Sequence, residues 1–322
     1  MIKNRIKILK KKLNYFNIDG YIIPKNDEFF SEYAENDRLK NISNFTGSAG
    51  LAIILKNKNY LFVDGRYTIQ AKNESGSNFK IIEIHKKLPH TIIKNCKLGF
   101  DPNLFTANRL KYYFSNNTKL VSINENLIDK IFRNKIKKTK PFFSLSKKIT
   151  GESHQSKLKK IVNFLDLNKT DYLFVSASEN IAWLLNIRGY NNPNSPIPSC
   201  RLIVSREKKL LLITENNNVQ KIINEKKINK NQVLNFNDFE KLIKKLKGDN
   251  FIIDDQSCSV FAEKIIRSRF KITNQKDPIY KLKSIKNSYE IKHMIEAHKK
   301  DGLALTRFIY WIKNINKKHI TE

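Results

Sequence analysis

The sequence contains few of the residues that build fibrous, disulfide-rich or metal-stabilised proteins. Its 322 residues include 10 glycines and 8 prolines, which excludes a low-complexity or fibrous chain. The three cysteines, Cys96, Cys200 and Cys258, lie far apart, and no CxxC motif or Cys/His pair accompanies them. This pattern predicts buried thiols in a reducing compartment rather than a disulfide framework.

Long apolar runs and catalytic motifs are also absent. No stretch approaches the roughly 20 apolar residues of a membrane span, so we expect a cytoplasmic protein that does not contact a membrane. There is no HExxH or GxSxG motif, and the five-residue spacing of His293 and His298 does not align them on one helix face. The remaining histidines lie among polar residues and lack partners in the sequence: His85, His90, His154 and His319.

Acidic residues are scarce relative to basic ones. The chain has 61 Lys and Arg against 30 Asp and Glu, a formal net charge of +31. A basic protein can bind nucleic acid by releasing counterions, but a compositional bias that places lysine on every exposed face gives the same total. The lysines are scattered, and no RNA-binding, zinc-finger or basic-zipper pattern accompanies them. We therefore predict no specific nucleic-acid partner, and non-specific binding stays open.

The order of elements in the first part of the chain recurs in the second. The strand GYIIP (20–24), the helix-like stretch 29–36 and the strand pair LAIIL and NYLFVD correspond to DYLFVS (171–176), SENIAWLLN (178–186) and the pair RLIVS and LLLIT. Corresponding strands lie about 150 residues apart, which is typical of a duplicated domain. We predict an α/β fold with two tandem mixed sheets covered by helices, in domains 1–145 and 146–283 joined by a polar bridge around 145–157.

A third unit, 284–322, begins with a long amphipathic helix. Asn287 can cap this helix, and Glu290 three residues later completes a capping box. The chain stops shortly after the helix, so we expect 284–322 to be the start of a further, truncated domain. Apolar residues at helical spacing form one face of the helix: Ile291, Met294, Ile295, Leu305, Phe308, Ile309 and Ile312.

Two glycine-containing segments between residues 43 and 70 are candidate ligand elements. FTGSAG leads into a strand and lacks a following Gly-Lys-Ser/Thr, so it indicates tight strand entry rather than a phosphate loop. DGRY places Arg66 at the carboxyl end of a strand, where ligand sites of α/β sheets gather. From the residues alone, Arg66 either bonds to neighbouring carboxylates or carbonyls, the interpretation that composition favours, or contacts a ligand. Asp254 and Asp255, between a strand and a helix-like run, are predicted to cap that helix.

Several segments, in order, resemble the long, three-domain Xaa-Pro aminopeptidases (aminopeptidase P). They are DRLKNISNFTGSAGLAIILKNKNYLFVDGRYTIQA, NENLIDKIF, SENIAWLLNIRGYNNPNSPIP, DPIYKLKSIKNSYEI and MIEAHKKDGLALTRFIYWI. The resemblance implies two creatinase/prolidase N-terminal-type domains followed by a catalytic domain of the pita-bread fold. It also implies a homodimer that acts on short proline-containing peptides and removes the residue before the proline.

The resemblance further implies two divalent metal ions, usually manganese, bound by Asp, Asp, His, Glu and Glu. A metal-bridging hydroxide would attack the peptide carbonyl. These ligands and the assisting histidines belong to segments downstream of Glu322, so we expect no metal ligand and no catalytic residue in this chain, and no peptidase activity from it alone. One functional residue matches: the arginine of DGRY, which in that family contacts the bound peptide, is Arg66 here. The alternative is a non-catalytic binding protein built on the same domains, as in chromatin-associated relatives of the fold, and the net charge fits it.

Overall fold

The apolar segments of the sequence form two six-stranded sheets. The computed structural model describes residues 2–31, 33–34, 36–114, 118–132, 140–190 and 194–315. Continuous apolar runs such as GYIIP are buried along their whole length, because helices cover both faces of each sheet. The prediction of an α/β fold with mixed sheets is therefore confirmed.

The first sheet lies between residues 20 and 122. Its central strand pairs in parallel with one neighbour and antiparallel with the other, so the sheet is mixed. The strands are β1 (Gly20–Pro24), β2 (Gly50–Leu55), β3 (Asn59–Val63), β4 (Lys80–Glu83), β5 (Lys97–Phe100) and β6 (Lys119–Ser122), in the order β4-β3-β2-β1-β5-β6.

The second sheet repeats this arrangement between residues 172 and 274. Its order is the same position by position, with the same antiparallel centre and parallel flanks, so the duplication predicted from the sequence is present in the structure. Its strands are β8 (Tyr172–Val175), β10 (Arg201–Ser205), β11 (Leu210–Ile213), β12 (Val233–Leu234), β13 (Asn250–Ile253) and β14 (Lys271–Asn274), in the order β12-β11-β10-β8-β13-β14, while β7 (Phe143–Ser144) and β9 (Ile187–Arg188) form a separate short pair.

Side chains alternate between the two faces of each sheet, as strand geometry requires. Along β1, Tyr21 and Ile23 join the core that includes the first helix, and Ile22 joins the core on the opposite face. The helices that cover the two sheets are α1 (Ile2–Tyr15), α2 (Arg38–Ser43), α3 (Thr68–Ser75), α4 (Pro89–Ile92), α5 (Ala107–Tyr113), α6 (Lys147–Thr150), α7 (His154–Leu167), α8 (Ser178–Leu185), α9 (Gln220–Asn224), α10 (Phe239–Lys245), α11 (Val260–Arg267) and α12 (Pro278–Ser284).

The predicted helix over 29–36 is wrong. The described residues of this stretch contain no helix, and Phe30 has a left-handed backbone with φ of 60°. The cause is Asp27, whose carboxylate accepts hydrogen bonds from the backbone N–H groups of Phe29 and Ser31, both at 2.9 Å. Such side-chain bonds replace the helical hydrogen-bond ladder and favour a turn.

The predicted capping by Asp254 and Asp255 is also wrong. Ser259 caps α11, while Asp254 accepts from the N–H of Gln256 at 2.9 Å and from that of Asp277 at 3.0 Å. Asp101 holds the equivalent turn after β5 in the first sheet, and a threonine five residues later caps α5. The same strand–Asp–turn–cap unit therefore occurs in both halves.

The long C-terminal helix is α13 (Ser288–Asn314), and the predicted capping box of Asn287 and Glu290 is present. At 1.5 Å per residue its 27 residues extend about 40 Å. None of its residues is buried. Its N-terminus is fixed to the second half of the chain, because Asn287 donates to the Thr150 carbonyl at 2.9 Å and Trp183 donates to Glu290 at 3.1 Å. Residues 316–322, including His319, lie outside the described part of the chain.

Candidate functional site

The candidate site lies at one end of the strands of the first sheet, called here its carboxyl edge. Strands β1, β3, β4 and β5 run parallel, so their carboxyl ends meet at this edge, which the loop entering β2 also reaches. The edge therefore brings together Lys25 after β1, Asp64 and Arg66 after β3, and His85 just beyond β4. Segments distant in sequence converge where ligand sites of α/β sheets gather.

Arg66 sits in a short 3₁₀ turn, Gly65–Tyr67, directly after β3. Asp64 caps this turn, and its Oδ1 accepts from the backbone N–H of Arg66 at 3.0 Å and from Arg66 Nε at 2.9 Å. The guanidinium carbon lies 5.3 Å from the Tyr67 ring centroid. The Arg66 side chain remains 72% exposed. The turn thus fixes the base of the guanidinium group at the carboxyl end of β3.

The charge on Asp64 is maintained over the physiological range. The hydrogen bonds from the Arg66 side chain and backbone lower the pKa of Asp64 to about 2. His85 Nε2 lies 3.6 Å from Asp64 Oδ2, so a protonated His85 would form a second ion pair with the Asp64 carboxylate. The sequence left His85 without a partner, and the pairing of β4 with β3 supplies one.

The loop FTGSAG forms the wall beside the DGRY turn, and it leads into β2 rather than a helix, as predicted. Ser48 Oγ and Tyr67 Oη are hydrogen-bonded at 2.9 Å. The rings of Phe45 and Tyr67 pack edge to face with centroids 5.8 Å apart. A Cβ on Gly47 would lie 2.3 Å from Phe45 Cζ. Glycine is therefore required by this close approach, not by a phosphate ligand.

A second set of hydrogen bonds fixes the same loop to α3 and to β1. Glu74 accepts from the backbone and hydroxyl of Thr46 at 2.7 and 2.6 Å, and Gln70 donates to both residues. Although burial alone would raise it, these hydrogen bonds hold the pKa of Glu74 below its usual value. Lys25 is buried, pairs with Asp37, and points its ammonium group at the Thr46 carbonyl. The wall of the site is thus a fixed structure.

The described residues offer this site a cation but no metal centre. Among them, no group of three or more His, Cys, Asp or Glu side chains could hold a metal ion, so a di-metal centre does not fit these residues and no catalytic step is assigned to them.

Arg188 has a structural role, since its Nη1 donates to the carbonyls of Ala182 and Ile187. The prediction of buried thiols is correct for Cys200 and Cys258, whereas Cys96 is only half-buried.

Comparison with known proteins identifies the domain family to which the chain belongs. Two family models, both described as the Creatinase/Prolidase N-terminal domain, match the chain, one over residues 5–131 and the other over residues 133–290. The chain therefore belongs to the creatinase/prolidase N-terminal domain family, with two tandem copies of the domain. This confirms the fold class predicted from the sequence.

Curated relatives that match the chain are named Xaa-Pro aminopeptidases, as the sequence resemblance indicated. The chain is 30% identical to Xaa-Pro aminopeptidase 1 of Dictyostelium discoideum, which it matches over 97% of its own length and 53% of that protein. It is 28% identical to the probable Xaa-Pro aminopeptidase P of Laccaria bicolor, over 96% of the chain and 51% of the relative. The chain thus spans about half the length of the curated relatives it matches.

A solved structure with a similar fold is the X-prolyl aminopeptidase of Caenorhabditis elegans, a cytosolic enzyme with a di-nuclear active site. The TM-score is 0.80 at 21% identity, over 97% of this chain and 56% of the nematode protein. At this identity the comparison establishes the fold. In the part of the chain that the structure describes, no helix has the length and hydropathy needed to cross a membrane.

Proposed function

We propose that this chain is the N-terminal part of a metal-dependent Xaa-Pro aminopeptidase, which removes the N-terminal residue from peptides with proline in second position. The observation that supports this most directly is the similarity to Xaa-Pro aminopeptidases along nearly the whole chain. The matched region is about half of each relative. The proposal therefore places the metal centre in residues outside this sequence.

The cofactor of the complete enzyme is proposed to be a pair of divalent metal ions, with manganese the expected metal. The di-nuclear active site of the nematode enzyme supports the number of ions. Such a pair would polarise the peptide carbonyl and lower the pKa of a bound water. The residues described here would contribute substrate contacts and a surface for the catalytic domain, not metal ligands.

The proposed substrate contact is Arg66. Its guanidinium group is exposed and its base is held by Asp64. A planar guanidinium in a fixed position can hold a carbonyl or carboxylate directionally, which a lysine does less well. Because the DGRY turn follows a strand at the carboxyl edge of the sheet, the group projects from the part of the domain where a ligand can approach.

The proposed position of the catalytic domain is against α13. This helix exposes apolar side chains along its length, including Ile291, Met294, Leu305 and Phe308, each at about half its maximal area. A face of this kind is stable in water only when another element packs on it. We propose that the remainder of the catalytic domain covers this face of α13. We also propose that the complete protein is a cytoplasmic homodimer.

Kinetics of an Arg66 variant test the substrate contact. In the complete enzyme, Arg66→Gln should raise KM for an Xaa-Pro peptide by about tenfold or more, since a hydrogen bond to a charged group contributes about 1.5–3 kcal/mol. The matched control is Arg206→Gln, because Arg206 is also an exposed arginine paired with an aspartate, Asp171, at 3.2 Å. Unchanged KM and kcat in Arg66→Gln would show that the assigned contact is wrong.

The alternative is a non-catalytic binding protein built on the same domains. The observation that favours it is the formal net charge of +31. The two proposals differ in one outcome. A complete protein that binds Xaa-Pro peptides but never cleaves them, with manganese supplied, would support the binding protein and exclude the peptidase.

A further inference from the structure

A cleft of about 510 Å³ lies where the first half of the chain meets the second. Its lining includes residues that follow the carboxyl ends of strands in both sheets: Phe30 beyond β1, Thr106 beyond β5 and Gln256 beyond β13. Helix α5 supplies the rest, including Arg109 and Tyr112. The cleft thus lies where the carboxyl edges of two α/β sheets face each other, which is where such sheets bind ligands.

The walls of this cleft are fixed by contacts between the two halves. The backbone N–H groups of Val260 and Phe261, at the start of α11, donate to the carbonyls of Phe105 and Pro102 at 2.8 and 3.0 Å. Both bonds join the turn after β5 to the equivalent turn after β13. These bonds join the turns that contain Thr106 and Gln256, both of which line the cleft.

The cleft is positively charged. Arg109 Nη1 donates to the Asn26 side-chain oxygen at 2.9 Å, and its guanidinium carbon lies 5.8 Å from the Tyr113 ring centroid. Arg109 forms no ion pair with any residue that the structure describes, and none of the described residues lining the cleft is acidic. An amide and an aromatic ring therefore orient the guanidinium group without neutralising its charge. A planar guanidinium in that state favours a carboxylate.

Three of the residues that line the cleft are aromatic, and three are neutral and polar. Tyr112 is 61% exposed and its ring centroid lies 5.4 Å from that of Tyr113. Phe30 also lines the cleft, on a left-handed backbone that a non-glycine residue adopts only at a cost. Hydrogen bonds to Asp27 hold that conformation, since the Asp27 carbonyl accepts from the Phe30 N–H at 3.1 Å. The cleft thus combines three aromatic rings with one cation, and the Tyr113 ring is the one that contacts the cation.

We infer that this cleft is a binding site for a carboxylate attached to an apolar or aromatic ring. The carboxylate binds Arg109, and the ring packs against Tyr112 and Tyr113. Gln256, whose side-chain amide donates to Asp255 Oδ1 at 3.3 Å, lines the cleft from the second half of the chain. A free ring-bearing acid and the C-terminal residue of a peptide share this chemistry. The site is separate from the Arg66 turn and does not depend on the proposed peptidase activity.

The test is calorimetric titration of the 322-residue chain with phenylacetate and with a hexapeptide ending in phenylalanine. Each probe is paired with its amide, which lacks the negative charge. Saturable binding of an acid at about 1 mM or tighter, with its amide at least about tenfold weaker, supports the site. Binding of phenylacetate identifies the free acid as sufficient, and binding of the peptide alone identifies a peptide C-terminus. No binding by either acid, or equal binding by acid and amide, overturns the inference.

Two variants tie the binding to this cleft. Arg109→Gln should weaken binding of the acid by about tenfold or more, while Lys111→Gln, the same charge change on the same helix outside the lining, should leave it unchanged. Thermal unfolding of each variant verifies that it folds. If a folded Arg109→Gln variant keeps the affinity of the unmodified chain, the acid binds elsewhere and the inference is refuted.

Discussion

The most specific stability prediction concerns Lys157, a lysine with no exposed surface. Its ammonium group donates to the Trp183 carbonyl at 2.9 Å and to Asn186 Oδ1 at 2.8 Å, and lies 3.9 Å from the Trp183 ring centroid. Burial lowers the pKa of Lys157 to about 8, against the opposing influence of Glu290 and Glu152. Lys157 thus lies in the second domain near the N-terminus of α13, since Trp183, which it contacts, also donates to Glu290 in the first turn of that helix.

The lowered pKa fixes how stability depends on pH. Between pH 8 and 10.5 the folded state loses the Lys157 proton while the unfolded state keeps it, so the unfolded state binds more protons and the free energy of unfolding rises with pH. Since one pKa unit corresponds to 1.36 kcal/mol, the interval from about 8 to the usual 10.5 sets the total rise at about 3 kcal/mol. Below pH 8 the contribution is constant.

The assay is urea unfolding of the unmodified chain and Lys157→Met between pH 7 and 10.5. The other lysines and tyrosines titrate in both proteins, so the difference between the two isolates Lys157. We expect the unmodified chain to gain up to about 3 kcal/mol over the variant between pH 8 and 10.5. Lys159→Met, which removes an exposed lysine from the same helix, is the control for the loss of a lysine charge. A flat difference across this range, or a loss, would refute the reasoning.

Three further predictions concern the loops, the last helix and the thiols. Gly47→Ala should lower the free energy of unfolding by about 1–3 kcal/mol in urea, because its Cβ would meet the Phe45 ring. Gly302→Ala, with no atom within 4 Å of its Cβ, should not destabilise, and a similar loss there would contradict the steric cause. Asn287→Ala should cost about 0.5–2 kcal/mol and speed amide exchange in the first turn of α13; unchanged exchange would refute the cap. With a thiol reagent Cys96 should react first, since it is partly exposed while Cys200 and Cys258 are fully buried; a fast phase that survives Cys96→Ser would contradict this.

The strands could be predicted because their apolar runs reflect burial on both faces. The segment GYIIP is continuous and its burial is complete, so local pattern and tertiary environment agree. The turn at 29–36 could not be predicted from hydrophobic spacing. Its conformation is decided by the Asp27 carboxylate, which bonds to two backbone N–H groups and overrides the helical pattern.

The candidate site was predictable only in part. Placing Arg66 after β3 follows from the strand-end rule, but the proximity of Asp64 to His85 and of Tyr67 to Ser48 depends on which strands are neighbours. A repeated pattern in the sequence could have corrected the prediction for Asp254. Asp101 and Asp254 each precede a capping hydroxyl residue by five positions, a repeat that would have shown the aspartates to be turn residues.

The measurement that tests the central proposal most directly is peptide cleavage by the protein expressed from the complete reading frame. It should release the N-terminal residue from an Xaa-Pro-Xaa peptide, should not cleave the matching Xaa-Ala-Xaa peptide, and should lose activity in a chelator and regain it with manganese. The 322-residue chain alone should cleave neither peptide. Cleavage of both peptides at equal rates, or activity unaffected by the chelator, would contradict the proposal that this chain is part of a metal-dependent Xaa-Pro aminopeptidase.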